Sequence, residues 1–502
     1  MPTGRVRLAP PLFVVASLLV AGFLGAWVAW NPGLVPFDVG PRGLFGLAAG
    51  LALSVLVLSR PGVGLVLFVA FIYLNLSQVL VRHHGLPSLL QLLALPLLLA
   101  AGASRSASQI RRVLGAPATV SLGLYLLAAA ASTTVASDPD LADRRVAEVA
   151  KGAIVFLLAA LLAGSAGAVR RAVGTMLGAG AALAAMAIVQ VLTGRAGEEY
   201  GGLARIKYAH IYGDVFEPRI AGPLGDPNFF AQILVLLVPL ALFLARGEPG
   251  PRSRALALGA AGLVTAAAVL TYSRGGALAL GCVLLLSAIA LRVPLRRAVL
   301  AGVLVVLTLL ALVPAGFARR LETLEQVAPW GDERILRPDS SFQKRRLLVA
   351  AAWRMFLDHP VLGVGAGNYT VHFETYADEV GSAARDYEDP AEPHFPHSLY
   401  LEIAAETGIL GLLPFGLAVI AAFASLRRAR AAFLAAGDGA SGGLTRGFEI
   451  ALVGYLVSSL FLHAHFSRYL WLLLGLSTAL ALVPAEMPTT RGRSTEAKGS
   501  DP

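Results

Sequence analysis

The chain has 502 residues, of which 56% are hydrophobic and only 14% are charged. Soluble proteins carry roughly a quarter charged residues, so this composition excludes an ordinary soluble enzyme and favours a protein of the lipid bilayer. The formal net charge of +10 does not indicate nucleic-acid binding, because loop arginines of the kind that set membrane orientation account for much of it. Cys282 is the single cysteine, so no intramolecular disulfide is possible.

Apolar blocks long enough to cross a hydrocarbon layer as helices recur along the chain. They predict an all-α fold, a polytopic transmembrane helical bundle of about 12–14 spans. The first block follows two arginines, but no cleavage site precedes a soluble domain, so we expect an uncleaved span. The candidate spans lie near 11–30, 42–59, 62–80, 86–103, 118–136, 150–165, 172–193, 227–245, 255–271, 276–291, 298–316, 398–425, 447–465 and 468–485.

These spans divide the chain into six regions. The segment 138–151 is rich in charged residues and is predicted to form a short interfacial helix. The expected regions are N-terminal spans in 1–193, a polar external loop in 194–226, central spans in 227–316, a long and partly helical external loop in 317–397, C-terminal spans in 398–485 and a disordered cytoplasmic tail in 486–502.

The basic residues predict the orientation. With the N-terminus inside and the spans alternating, 21 basic residues fall inside and seven fall in the short outside loops. Long loops cross a membrane largely regardless of charge, so the short loops are the fair comparison. Both termini are therefore expected in the cytoplasm, and the loop 317–397, which holds 13 of the 31 acidic residues, is expected outside.

Three polar clusters lie at predicted span boundaries on the outer side. The first runs from Pro218 to Asn228 and contains Arg219 and an Asp226-Pro227 helix start. A helix N-terminus beside an arginine suits an anion. The alternative is a glycine-rich turn whose arginine binds lipid headgroups.

The second cluster, Tyr272-Ser273-Arg274-Gly275-Gly276, separates two apolar runs. An arginine at this depth is costly unless it has a partner, and the two glycines allow close backbone approach. A snorkelling arginine in a tight external turn is the plainer alternative.

The third cluster ends the long loop and begins the next span. His397 stands at the mouth of the span, where a neutral imidazole is able to take a proton near pH 7. Glu402 and Glu406 share a helical face and could orient an imidazole or an arginine. His394 and His397 are three apart, but no further ligands follow at zinc-like spacing, and an ordinary interfacial histidine stays an alternative.

Together, two arginines and a histidine on one membrane side suggest a substrate with a lipid-borne phosphate or diphosphate, because the guanidinium fork matches phosphate oxygens. At these residues the chain resembles the O-antigen ligase and polymerase superfamily of bacterial envelope glycosyltransferases. The resemblance is carried by Arg219 to Asn228, by Ser273 to Gly276, by Asp358 to Tyr369, and by the stretches from His397 to Glu402 and from Glu406 to Gly411.

The resemblance implies a metal-independent, inverting glycosyl transfer in the bacterial inner membrane. The donor is expected to be a glycan on undecaprenyl diphosphate, and the acceptor a hydroxyl on lipid A-core, another glycan or a protein. Arg219 and Arg274 would bind the diphosphate and His397 would act on the acceptor hydroxyl. The expected supporting residues are Asn228, Tyr272, Glu402, Glu406 and His394.

No cofactor and no nucleic acid are expected to take part, whereas membrane lipids are expected partners. Two other functions fit the same sequence. A flippase or transporter for lipid-linked glycans would need a polar path through the bilayer, and the predicted spans carry almost no charge near their centres. A non-catalytic component of an envelope assembly complex would leave the three clusters without a shared anion site.

Overall fold

The computed structural model describes residues 41–212, 215–294, 296, 340–380, 394–463 and 468–483. The predicted spans 11–30 and 298–316 and the tail 486–502 lie outside these residues. The first described helices are α1 (Pro41–Ser59), α2 (Pro61–Tyr73), α3 (Leu76–His84), α4 (Leu89–Ala103), α5 (Ala107–Leu114), α6 (Pro117–Ser132), α7 (Pro139–Leu162) and α8 (Ala166–Leu192). After them come the strands β1 (Ile206–Tyr212) and β2 (Val215–Ile220).

The remaining helices follow the hairpin. They are α9 (Pro227–Val235), α10 (Leu237–Gly247), α11 (Pro251–Leu270), α12 (Arg274–Leu291), α13 (Ser340–Asp358), α14 (Tyr369–Val380), α15 (Leu399–Ala435), α16 (Gly439–Ser458) and α17 (Arg468–Leu482). The predicted helical bundle is therefore confirmed, and the described part of residues 317–397 holds α13 and α14.

Several of these helices are suited to a bilayer. Within the described residues, six stretches are long and apolar enough to cross a membrane, or up to eight if each of two bent helix pairs forms one span. The bent pairs are α2 with α3 and α4 with α5, while α1 and α17 are shorter apolar helices. Candidate spans 150–165 and 447–465 fall in α7 and α16, which do not meet this criterion. The chain is a multi-pass membrane protein.

Small residues let the helices approach closely, as they must where lipid provides no hydrophobic drive between helices. α15 packs on α6, α16 on α10 and α17 on α7. A Cβ added at Gly152 of α7 would lie 2.4 Å from the ring nitrogen of Trp471 on α17. A Cβ added at Gly475 would lie 2.5 Å from the Phe156 carbonyl oxygen. Both glycines are therefore packing positions.

One local prediction is wrong, and one predicted loop contains strands that the sequence did not predict. The segment 138–151 is not a separate interfacial helix, because α7 begins at Pro139 and continues without a break to Leu162. The loop 194–226 contains an antiparallel hairpin in which Lys207 pairs with Arg219. The hydropathy pattern, which predicted helices, did not predict these two strands.

The described helices place the three predicted clusters at one end of the bundle, which we call the site end. α9, α12 and α15 begin there, and α6, α8, α11 and α16 end there. The break between α2 and α3 also contacts this end, since the Asn75 side-chain amide donates to the Pro223 carbonyl at 3.1 Å.

Candidate functional site

The start of α9 is as the sequence predicts. Asp226 is the N-cap, Pro227 is the first helical residue, and the Asp226 carboxylate accepts from the amides of Asn228 and Phe229 at 2.7 and 3.2 Å. Those two amides are consequently occupied by a carboxylate of the chain itself. The predicted anion site at this helix end must therefore depend on the neighbouring arginine.

Arg219 joins the first two clusters. From β2 its Nε donates to the Thr271 carbonyl at 2.9 Å, and its Nη2 lies 3.3 Å from both the Tyr272 carbonyl and Asn228 Oδ1. Two residues separate Thr271 from Arg274, so one guanidinium links the α9 start to the turn that presents the other arginine. The predicted supporting roles of Asn228 and Tyr272 gain a physical basis from these contacts.

The turn before α12 has a constrained backbone. Tyr272 has φ 50°, a left-handed conformation uncommon for a residue with a side chain. Ser273 caps α12 by accepting from the Gly276 amide at 3.1 Å. A Cβ at Gly276 would lie 2.6 Å from Ala231 Cβ, and one at Gly275 would lie 3.1 Å from the Phe461 ring. The two glycines therefore allow this turn to pack closely against α9 and against the segment after α16.

His397 also has a left-handed backbone, with φ 49°. It precedes Ser398, the N-cap of α15. The first residues of α15 are fixed to the end of α16, because the Leu399 amide donates to the Ser459 carbonyl at 3.0 Å and the Tyr400 hydroxyl to the Leu456 carbonyl at 2.7 Å. These bonds determine where the His397 ring lies.

His463 connects His397 with the arginine clusters. Its ring stacks on Phe395 with centroids 4.3 Å apart and meets Phe229 edge-on at 5.1 Å. The His397 ring stands nearly perpendicular to it at 5.7 Å. Phe229 follows Asn228, the partner of Arg219, so an unbroken set of contacts joins the three predicted clusters.

His394 lies elsewhere in this region. Its ring stacks on Phe373 of α14 with centroids 4.5 Å apart and an interplanar angle of 17°. Among the described residues there is no group of three or more histidine, cysteine or acidic side chains that could hold a metal ion. A supporting role for His394 would therefore act through the packing of α14.

Glu402 and Glu406 orient an arginine that the sequence did not single out. Glu402 forms a short ion pair with Arg145 of α7, and Glu406 Oε2 lies 3.4 Å from Arg145 Nε. The side chains of Glu402 and Glu406 are 2% and 8% exposed and that of Arg145 is 21% exposed. We call these three residues the buried ion cluster.

The glycine-rich segment 363–367 packs around the buried ion cluster. Gly363, Gly365 and Gly367 all have positive φ, of 69°, 100° and 72°. The Val364 amide donates to the Ala405 carbonyl at 2.8 Å, and a Cβ at Gly367 would lie 3.1 Å from Arg145 Cβ. The segment thus takes the only kind of backbone that fits between α7 and α15.

Asn368 and His372 fasten the same segment to the start of α7. The Asn368 side chain accepts from the Asp138 amide at 2.7 Å and donates to the Asp138 carbonyl at 3.1 Å. His372 Nε2 lies 3.0 Å from Ser137 Oγ. Burial, with a smaller contribution from His359, lowers the pKa of His372, which favours the neutral ring in this contact.

Residues 259–416 match the family described as Wzy_C, O-antigen ligase. This part of the chain is therefore similar to the O-antigen ligase family. The match confirms the predicted resemblance to the O-antigen ligase and polymerase superfamily, and it includes Arg274, His397 and the two glutamates of the buried ion cluster. No curated protein matches the chain.

The matched region covers about a third of the chain and omits three residues that the structure brings beside it. Arg145, Arg219 and His463 lie outside the matched range, although their side chains contact residues of it. Sequence reasoning found Arg219 and missed Arg145 and His463. The only signals for the latter two were an arginine pair in a charged segment and a histidine near a predicted span end.

Proposed function

We propose that this protein is a membrane glycosyltransferase that transfers a glycan from undecaprenyl diphosphate to an acceptor hydroxyl on the outer face of the cytoplasmic membrane. The observation that carries the proposal is the convergence of Arg219, the Arg274 turn and His397 at the site end, joined through His463. The similarity of residues 259–416 to the O-antigen ligase family supports the same class of reaction.

Arg219 and Arg274 have the chemistry that the leaving group requires. As the bond between the sugar C1 and the diphosphate oxygen breaks, its electron pair leaves with the diphosphate and negative charge grows there. Fixed guanidinium groups stabilise that charge, and their planar forks match phosphate oxygens. Because arginine supplies the positive charge, the proposal requires no metal ion.

His397 is the proposed base for the acceptor. The acceptor oxygen attacks C1 from the face opposite the diphosphate, the new C1–O bond forms as the old one breaks, and the imidazole takes the hydroxyl proton. A single displacement of this kind inverts the configuration at C1. The left-handed backbone of His397 and the bonds of Leu399 and Tyr400 keep the ring at the helix mouth.

The outer face is proposed from charge. The end opposite the site carries Arg170, paired with Glu248 at 2.6 Å, and Arg105, whose Nε donates to the Leu161 carbonyl at 2.7 Å. Arginines gathered at the ends of short loops favour the cytoplasmic side. The site end would then face outward, where a lipid-linked glycan meets its acceptor.

Reconstitution with an undecaprenyl-diphosphate-linked oligosaccharide tests the proposal, with Arg274→Ala and His397→Asn as the variants. Asparagine tolerates the left-handed backbone at position 397, so this change removes the base with little added strain. Loss of one stabilising cation lowers turnover by roughly 10²–10³-fold, and loss of a general base by roughly 10²–10⁴-fold.

Arg252→Ala, at an exposed position at the start of α11, is the matched control and should keep full turnover. Full turnover of Arg274→Ala and His397→Asn at normal protein levels would refute the mechanism. Movement of the glycan across the bilayer without transfer would identify a flippase instead. A product of longer lipid-linked chains would indicate a polymerase, and a modified acceptor a ligase.

A further inference from the structure

The helix α13 exposes an apolar stripe. Val349, Trp353 and Leu357 are 37%, 51% and 49% exposed, and their spacing of four residues places them on one face. The opposite face of α13 is buried, with Leu348 and Met355 in the core that it shares with α14. α13 therefore has two apolar faces, and α14 covers only one of them.

The stripe continues into the outward surface of α15. Val361, 55% exposed, accepts from the Leu410 amide at 3.3 Å, and the Pro360 carbonyl accepts from the Ile409 amide at 2.8 Å. Ile409 and Leu410 are 43% and 47% exposed, and Leu413 on the same outward surface is 56% exposed. Since α15 contains a candidate membrane span, we expect these leucines and this isoleucine to face lipid.

The sequence of α15 indicates the depth at which α13 joins it. Between the break at Gly408 and Arg427 the stretch 409–426 holds no charged residue. At the helical rise it is about 27 Å long, close to the thickness of the hydrocarbon layer. Ile409, to which Pro360 is bonded, consequently lies near one boundary of that layer.

The composition of the exposed face fits that boundary. Trp353 is the aromatic residue most typical of the membrane–water interface. Arg346 lies on the same exposed face, where its charge would meet anionic headgroups while its stem follows the apolar stripe. Arg354 lies beside the stripe and pairs with Asp358 at 3.4 Å. An apolar face bordered by arginines is typical of a helix that lies in the interface plane.

We propose that α13 binds the membrane surface at the site end, with Val349, Trp353 and Leu357 inserted among the lipid headgroups and upper acyl chains. The helix then holds the glycine-rich segment and the buried ion cluster at headgroup level. A lipid-borne diphosphate lies at that level, and this last consequence alone rests on the proposed function. The lipid contact itself does not depend on glycosyl transfer.

Spin-label accessibility in nanodiscs of phosphatidylethanolamine and phosphatidylglycerol tests the contact. In a Cys282→Ser background, Trp353→Cys and Leu357→Cys carry the label at exposed positions where folding tolerates substitution. Oxygen, which concentrates in lipid, should relax both labels more strongly than a water-soluble nickel complex. Leu357→Cys retains Trp353, so the result does not depend on loss of the tryptophan.

Two positions calibrate the measurement. Leu413→Cys on α15 reports lipid, and Glu374→Cys on the exposed side of α14 reports water. Oxygen dominance at positions 353 and 357, as at 413, supports the proposal. Nickel dominance at both positions, as at 374, overturns it and leaves the proposed glycosyl transfer untouched.

Discussion

Arg145 is a charge held between two buried carboxylates. Its side chain is about four-fifths buried, and Glu402 and Glu406 are almost fully so. Charges removed from water are stable only when they are paired and hydrogen-bonded, and the loss of one partner leaves the others uncompensated. Because both glutamates lie in the first turns of α15, the arginine also fixes the helix that follows His397.

Arg145→Ala is expected to lower the free energy of unfolding by about 3–5 kcal/mol, the usual cost of breaking a buried ion pair. It should also lower glycan transfer, because the start of α15 loses its tie to α7. The measurements are the thermal unfolding midpoint in detergent and the turnover of the reconstituted protein. Arg145→Lys should keep part of the stability and part of the turnover that Arg145→Ala loses. It should not keep all of either, because an ammonium group bonds fewer carboxylate oxygens than a guanidinium group.

Arg144→Ala is the matched control for Arg145. Arg144 is exposed on the same helix and, among the described residues, donates to the nearby Asp140 carbonyl at 3.1 Å, so its loss should change neither quantity. Arg170→Ala removes an arginine of similar exposure, paired with the more exposed Glu248 at the opposite end, and should lower stability less and without a specific loss of transfer. Equal behaviour of the Arg144 and Arg145 variants would contradict the role assigned to the ion cluster.

The sequence predicted part of this arrangement. The spacing of Glu402 and Glu406 placed them on one helical face, and a partner arginine was one of the two options considered. Its identity was not accessible, because Arg145 lies 257 positions before Glu402 and nothing local relates the two. The role of His463 could not be predicted for the same reason, because its contacts with Phe229 and Phe395 form only when distant parts of the chain pack together.

The break in α15 at Gly408 depends on glycine at two facing points. Gly408 has φ 59° and ψ −158°, a conformation essentially confined to glycine. A Cβ there would lie 2.3 Å from the Val361 carbonyl oxygen, and one at Gly363 would lie 2.4 Å from the Ala405 carbonyl oxygen. The break allows segment 360–364 to bond to the α15 backbone on both sides of it.

Gly408→Ala should destabilise the protein by more than about 1 kcal/mol, because both its backbone conformation and its surroundings exclude a side chain. The thermal unfolding midpoint measures the change. Gly416→Ala, in the same helix with nothing within 4 Å of an added Cβ, should be neutral or slightly stabilising. An unchanged midpoint for Gly408→Ala would show that the break relaxes into a straight helix.

The elements differ in how far local sequence determines them. The start of α9 was predictable because the Asp226-Pro227 cap is satisfied by its own neighbours. The prediction for α7 was wrong because the charged residues of its first turns resemble a separate surface helix. In the structure, the buried ion cluster and the bonds of Asn368 stabilise these turns as part of one continuous helix. The strands β1 and β2 pair with each other in a glycine-rich part of the sequence that has no helical periodicity, so the sequence pattern did not predict them.

At the scale of the whole molecule, the helical bundle and its polar end followed from the sequence, but the bends between the described helices did not. Hydropathy alone divides the chain into candidate spans of similar length, while packing bends α2 from α3 by 58° and α4 from α5 by 118°. Asn75 illustrates the cause, because its left-handed backbone and its bond to the Pro223 carbonyl end one helix and begin another. Such long-range contacts are invisible to a hydropathy window.

The two ends of the bundle are chemically different, and this difference predicts the orientation. Arg195 lies in the loop after α8 at the site end, and Arg252 lies at the start of α11 at the opposite end, where Arg170 pairs with Glu248. In a Cys282→Ser background, an impermeant maleimide should label Arg195→Cys in intact cells and Arg252→Cys only after the membrane is opened. The Cys282→Ser protein without an added cysteine, treated with the same maleimide, controls for background reaction.

The reverse labelling pattern would have a definite meaning. If Arg252→Cys reacts in intact cells and Arg195→Cys does not, the site end faces the cytoplasm and transfer at the outer face is wrong. The arginine count favours labelling of Arg195→Cys in intact cells, because positive residues in short loops are retained on the cytoplasmic side. Long segments cross the membrane largely regardless of charge. The segment 317–397, with nine basic residues of its own, is expected to lie outside together with the site end.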